Sequence, residues 1–132
     1  MLRLGGERDT LSVVADQIGS PTFAGDLAEA IVATLKPVRE GNCAWGLYHY
    51  AGAPSASWHE FACEIFAQAQ HMGFSVPDTV DAISTSEYPT AAPRPAWSVL
   101  DSSKFTKIFG QPSSDWRVGI AKCLQVLGQL SE

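Results

Sequence analysis

The sequence predicts an α/β fold, a small partly parallel sheet packed with amphipathic helices. Three observations carry that prediction. Short apolar runs such as Leu11-Ser12-Val13-Val14 alternate with longer runs whose apolar residues recur at helical spacing. Helical runs open on residues able to cap a helix, and several close on Gly or Pro. Of the 132 residues, 45% are hydrophobic, which suits one domain that buries roughly two thirds of the surface its unfolded chain exposes.

Residues 1–8 read as the last turns of a helix ended by glycine, Gly5-Gly6 supplying the stop. A helix met at its own end suggests a chain cut from something longer. Residues 11–14 then read as a short buried strand. The strand feeds Asp16-Gln17-Ile18-Gly19-Ser20-Pro21-Thr22, in which Gly19 and Pro21 punctuate the backbone and Gln17, Ser20 and Thr22 offer polar side chains. Thr22 is placed to cap the following helix, residues 26–36, and Asp26 adds negative charge to its first turn. Leu27, Ile31 and Leu35 predict one buried stripe on that helix, with Pro37 marking its end. After a polar connection over 38–42, residues 45–52 read as a central strand, aromatic-rich and bounded by small residues. His49 has two readings, a catalytic base or a packing or edge donor, and the second is commoner for a lone histidine in a strand.

Ser57 opens the clearest helix, because Ser57 and Glu60 form a capping box in which each satisfies a free backbone N–H. Trp58, Phe61, Ala62, Ile65, Phe66, Ala69 and Met72 keep helical spacing, and Gly73 suits the terminating position. So wide a stripe reads as core, with Trp58 able to line a pocket at the helix start and with His59 and His71 facing solvent. Residues 76–83 read as an irregular strand. Asp101 can cap a short helix over 102–109 that Gly110 ends. The final helix, 115–130, places Trp116, Ile120, Cys123, Leu124, Leu127 and Leu130 on one face, with Gly119 off it.

Composition excludes several classes. Nine Lys and Arg stand against 14 Asp and Glu, a formal charge of −5 without blocks, so no nucleic-acid partner is expected. No apolar run approaches the roughly 20 residues of a membrane span, and there is no signal-peptide h-region. Cys43, Cys63 and Cys123 are odd in number and far apart, fitting neither a disulfide framework nor a metal site. Cys63 and Cys123 read as small core residues, and a reduced, cytoplasmic compartment follows.

Two stretches point to a binding site. A strand, a polar loop and a helix start is where α/β folds place ligands, although most such turns bind nothing. The second stretch, residues 84–101, carries Pro89, Pro93 and Pro95 around a single Arg94. Prolines hold a loop in one shape, so this guanidinium is presented on a stiff segment, ready to donate two parallel hydrogen bonds to a phosphate or carboxylate. The alternative is a structural salt bridge to Glu87 or Asp101.

With Ser57-Trp58-His59-Glu60-Phe61-Ala62, these two stretches resemble the C-terminal part of the dTDP-4-dehydrorhamnose reductase family, within the extended short-chain dehydrogenase/reductase superfamily. The resemblance runs from about residue 10 to about residue 127. It implies the C-terminal part of that fold without its Rossmann half, with residues 1–132 as a single substrate-binding domain. Gln17, Gly19, Ser20, Pro21 and Thr22 match the family loop that borders the sugar-nucleotide cleft. Arg94 matches the arginine of its Pro-rich loop, and Trp58 the aromatic residue that opens the helix after the long strand. The family enzyme reduces dTDP-4-dehydro-L-rhamnose with NADPH as hydride donor, through a glycine-rich turn and a Tyr-x-x-x-Lys pair. Neither motif occurs here: four residues after Tyr48, Tyr50 and Tyr88 stand Gly52, Pro54 and Ala92. No catalytic or cofactor-binding residue is therefore assigned, and the chain alone is expected to be inactive. Some family members bind Mg2+ at a dimer interface through glutamates, but Gly25 and Asp26 occupy the matching place, so no metal ligand is assigned. The implied partners are a dTDP-sugar, the missing Rossmann half packed on an apolar face, and a second copy in a homo-oligomer. An alternative is a non-catalytic interaction subunit, as in the regulatory subunit of methionine adenosyltransferase, which resembles the same family.

Overall fold

The computed structural model describes residues 1–42 and 44–130; Cys43, counted above, lies outside the described residues. The elements follow in the order α1 (Leu2–Glu7), β1 (Thr10–Val14), β2 (Ile18–Gly19), α2 (Ala24–Arg39), β3 (Ala56–Ser57), α3 (Trp58–His71), β4 (Thr79–Ile83), α4 (Ser103–Phe109) and α5 (Trp116–Gln129). A 3-10 turn at Thr85–Glu87 lies between β4 and α4. The α/β class is as the sequence predicts.

β1 and β4 pair in parallel, from Thr10 opposite Thr79 to Val14 opposite Ile83. A parallel pair needs a long crossover, and here the crossover holds α2 and α3. α3 packs against β1, β4, α1 and α5 and buries Ala62, Phe66 and Ala69. One apolar cluster joins Ala62 and Phe66 to Leu11 and Val13 of β1. The other joins Ala69 to Ala56, Trp116, Ile120 and Leu124. Phe61 and Ile65 are half-buried against these clusters. Both capping-box hydrogen bonds form, Glu60 N–H to Ser57 Oγ at 3.0 Å and Ser57 N–H to Glu60 Oε2 at 2.7 Å. Gly73, at φ +81°, follows the last turn of α3, and Gly110, at φ +71°, ends α4. Both are left-handed positions that favour glycine.

Several expectations are corrected. Gly5 and Gly6 lie inside α1 rather than stopping it, and Gly5 is buried where a Cβ would crowd Phe66 and Pro77. α2 starts at Ala24 and runs through Pro37 to Arg39. The proline costs one helix hydrogen bond, but in the last turn this does not end the helix, which the Glu40 N–H closes on the Lys36 carbonyl. Leu27, Ile31 and Leu35 are exposed rather than buried, together with Val32 and Val38. Asp26 and Ala30 form the buried side of α2 instead.

No strand forms over 45–52 among the described residues. The segment lies against α4, where the Tyr48 and Tyr50 rings meet Phe105 edge-on at 6.5 and 5.3 Å. In α5 the cysteine and the last leucines of the predicted stripe, Cys123, Leu127 and Leu130, are exposed. Gly119 is buried instead, because Phe23 occupies the space its side chain would take. Trp58 at the start of α3 and Met72 just past its end are exposed. His59 is half-buried with Nε2 3.0 Å from the Val80 carbonyl oxygen, whereas His71 is exposed as expected. No helix of the described residues is long and apolar enough to cross a membrane.

Candidate functional site

The loop after β1 becomes a rail to which two other segments attach. Ile18 and Gly19 pair antiparallel with Ser57 and Ala56, setting the start of α3 beside the loop. On its other side Ile18 takes the Pro-rich stretch, receiving Ser98 N–H on its carbonyl at 2.9 Å and donating its own N–H to Ala96 O at 2.8 Å. Backbone pairing thus joins the three motifs singled out in the sequence around one residue.

They enclose a cleft of about 580 Å³. Gln17, Gly19, Ser20, Pro21, Thr22, Trp58 and Arg94 all line it, so every predicted site residue reaches the same cavity. Tyr50, Phe61, Ser98 and Leu100 also line it and were missed. Tyr50 carried a signal, an aromatic in a run bounded by small residues, but the run was read as a strand. Tyr50 donates to Pro112 O at 3.3 Å and lies 3.2 Å from Ser114 Oγ. His49 is exposed and does not line the cleft.

Thr22 does not cap α2, whose N-cap is Phe23 without a side-chain hydrogen bond. Its hydroxyl donates to Ser20 O at 2.9 Å and accepts the Gly52 N–H at 2.9 Å. It thereby ties the loop to the 51–53 segment. Gly52 fits only as glycine, since a Cβ there would strike the Pro21 carbonyl oxygen. Gly19 is tight for the same kind of reason, with Ser98 Oγ 3.1 Å from where a Cβ would stand.

Arg94 is exposed, and among the described residues no ion pair or hydrogen bond engages its guanidinium. The two carboxylates that could have held it are occupied. Glu87 accepts the Ser84 N–H and hydroxyl, each at 2.7 Å, and that backbone donor first, then the side chain, holds its carboxyl below the usual range. Asp101 accepts the Ser103 N–H at 2.8 Å and is lowered first by that bond. Among the described residues no Asp or Glu lines the cleft, so Arg94 is the charged group among its lining residues. Opposite chemistry comes from Trp58, half-exposed and edge-on to Phe61, which is edge-on to the buried Trp116. A single cation, a cluster of hydroxyl and amide groups and an open indole suit a ligand that is anionic at one point and flat or hydroxylated elsewhere.

Gln17 is buried, with Nε2 donating to Thr85 Oγ1 at 3.0 Å. Asp16 accepts the Thr85 N–H at 2.9 and 3.0 Å and its hydroxyl at 2.6 Å. The Thr85 hydroxyl, then its backbone N–H, lowers the Asp16 carboxyl. Asp26 pairs with Lys122 at 3.6 Å. The described residues gather no group of three or more His, Cys, Asp or Glu side chains that could hold a metal ion. Among the described residues these surroundings do not fit a Mg2+ site, and the sequence has no glycine-rich dinucleotide motif.

A family model described as the RmlD substrate binding domain matches residues 1–129. The dTDP-4-dehydrorhamnose reductase of Aggregatibacter actinomycetemcomitans is 47% identical over 120 residues, covering 89% of this chain and 40% of that protein. The reductase of the same name from Salmonella typhimurium is 37% identical over 125 residues, covering 94% of this chain and 42% of that protein. Among solved structures, a dTDP-4-dehydrorhamnose reductase from Clostridium acetobutylicum matches with a TM-score of 0.78 at 34% identity, over 95% of this chain and 41% of that one. The reductase from Bacillus anthracis, in complex with NADP, matches with a TM-score of 0.72 at 36% identity, over 91% of this chain and 38% of that one. The chain spans about two fifths of the length of these relatives.

Proposed function

We propose a function on one premise: this chain belongs to the RmlD substrate binding domain family. In this reading, residues 1–132 form a single domain that is the sugar-nucleotide-binding part of a dTDP-4-dehydrorhamnose reductase. Arg94 meets the pyrophosphate, Trp58 offers a flat apolar surface, and Gln17, Ser20 and Thr22 with the backbone at Gly19 and Pro21 border the sugar or base. NADPH and the proton-transferring pair belong to the remainder of the enzyme, and the exposed stripe of α2 is where that remainder packs. The chain alone then reduces no keto sugar.

One observation carries the reading. Seven residues chosen from three separate stretches line one cleft, and its charged lining residue is an arginine with no protein partner among the described residues. A dedicated structural arginine would be paired.

The test is to titrate the isolated chain with dTDP, a dTDP-sugar and NADPH, following ligand signals by NMR. Weak saturable binding of the first two, and none of NADPH, is expected. Arg94→Ala should weaken dTDP binding by about 10- to 150-fold, the loss of a charge-assisted contact. Saturable NADPH binding at about micromolar concentration overturns the reading. Unchanged dTDP affinity in the Arg94 variant removes that residue from the site.

A further inference from the structure

We propose that Asp16 and Thr85 are positioning residues that set the polarity of Gln17, so that the cleft presents a carboxamide oxygen and selects a ligand carrying a hydrogen-bond donor at that point. The inference rests on the binding function proposed above.

The argument follows the protons. An ionised carboxylate only accepts hydrogen bonds. Asp16 lies 2.6 Å from Thr85 Oγ1, so the Thr85 hydroxyl must spend its one proton on Asp16. What remains on that oxygen are lone pairs, and the Gln17 side chain stands 3.0 Å away. Only the NH2 end of the carboxamide can satisfy a lone pair. The amide orientation is therefore dictated two residues up the relay, and Gln17 Oε1 is turned the other way. That oxygen has no protein partner among the described residues, and no buried side-chain polar atom there lacks one. Oε1 is thus not sealed from solvent, and Gln17 lines both the cleft and the adjoining cavity, which share Trp58 and Arg94. Without the relay a glutamine could present either end, and the cleft would accept donors and acceptors alike.

The relay also places the arginine. Among the described residues Arg94 has no side-chain anchor, so its backbone must hold it. The stretch from 84 to 98 is fastened at its start by Thr85 to Asp16 and at its end by Ala96 and Ser98 to Ile18. Both fastenings use the same short run, Asp16-Gln17-Ile18, so the donor-reading group and the cation are held in one frame.

The experiment compares wild type, Thr85→Val, Thr85→Ser and Asp16→Ala in two measurements. The first, without ligand, follows the side-chain amide resonances of Gln17 by 15N NMR. Thr85→Val and Asp16→Ala should shift them toward those of an exposed glutamine, while Thr85→Ser, which keeps the hydroxyl, should restore the wild-type positions. The second is dTDP affinity, where Thr85→Val should lose about 3- to 10-fold, one neutral hydrogen bond, and Thr85→Ser should lose little. Unmoved Gln17 resonances in Thr85→Val overturn the relay whether or not the chain binds dTDP. Shifted resonances with unchanged dTDP affinity overturn the positioning role. If wild type does not bind dTDP while the resonances move as stated, the binding function fails and the relay stands.

Discussion

α2 and α3 carry similar sequence patterns and meet opposite fates. Each has apolar residues three and four apart, a polar far side and an acidic residue in its first turn. α3 buries Phe66 to 5% exposure against Leu11 and Val13 of β1, whereas α2 leaves Ile31 57% exposed. α2 is held at its root: Asp26 by Lys122, Phe23 against Gly119, and the preceding loop by the Gly52–Pro21 approach. The difference teaches that periodicity fixes which side of a helix is apolar but not whether anything covers it.

The comparison breaks first on core truncation. Phe66→Ala should destabilise the chain by about 3–5 kcal/mol, the transfer and cavity cost of a buried phenyl ring. Ile31→Ala should change stability by no more than about 0.5 kcal/mol, as for a surface site. Denaturant midpoints measure both, and equal losses would show that α2 is covered in solution, for instance by a second copy.

Rooting is tested next. Gly52→Ala drives a methyl into the Pro21 carbonyl, an overpacking worth about 1–3 kcal/mol. Amide exchange in α2 should accelerate relative to α3. Uniform exchange would mean that α2 is anchored elsewhere.

The helix starts differ too, since α3 has a capping box and α2 has none. Ser57→Ala should cost about 0.5–2 kcal/mol, read as a shift in the urea midpoint. No shift would show that the box contributes nothing to α3.

The smallest effect is the pH dependence of that start. Glu60 is held below its ordinary 4.5, first by the Ser57 N–H and then by the Ser57 hydroxyl. A depressed folded value means stability that is present at neutral pH and lost as pH falls below that ordinary value toward the folded one. Glu60→Gln should flatten this acid limb slightly, by comparison of midpoints at neutral and acid pH. An unchanged limb would assign the acid sensitivity to other lowered carboxylates, Asp16, Glu87 and Asp101.

Much of the candidate cleft was legible. The resemblance and the local chemistry of loops picked out Gln17 to Thr22, Trp58 and Arg94, and all of them line one cleft. Tyr50 was lost because an aromatic run packed on a helix and an aromatic strand look alike over eight residues. Thr22 was taken for a cap because a threonine before a helix usually is one; its hydroxyl went to Gly52 instead.

The sequence alone determined what adjacent residues can settle: the capped start of α3, the left-handed glycines after α3 and α4, the strand at β1. Each depends on hydrogen bonds or backbone preferences within about one helical turn, and such interactions are written in consecutive letters. The tertiary structure decided everything that needs a distant partner. It left the α2 stripe open, made a loop of 45–52, buried Gly119 under Phe23, and turned Ile18 into the rail shared by three motifs. Above all it brought Thr85 to Asp16 across 69 positions, a contact no local pattern announces, because the cost of closing so long a loop is met by the whole packed core rather than by either residue.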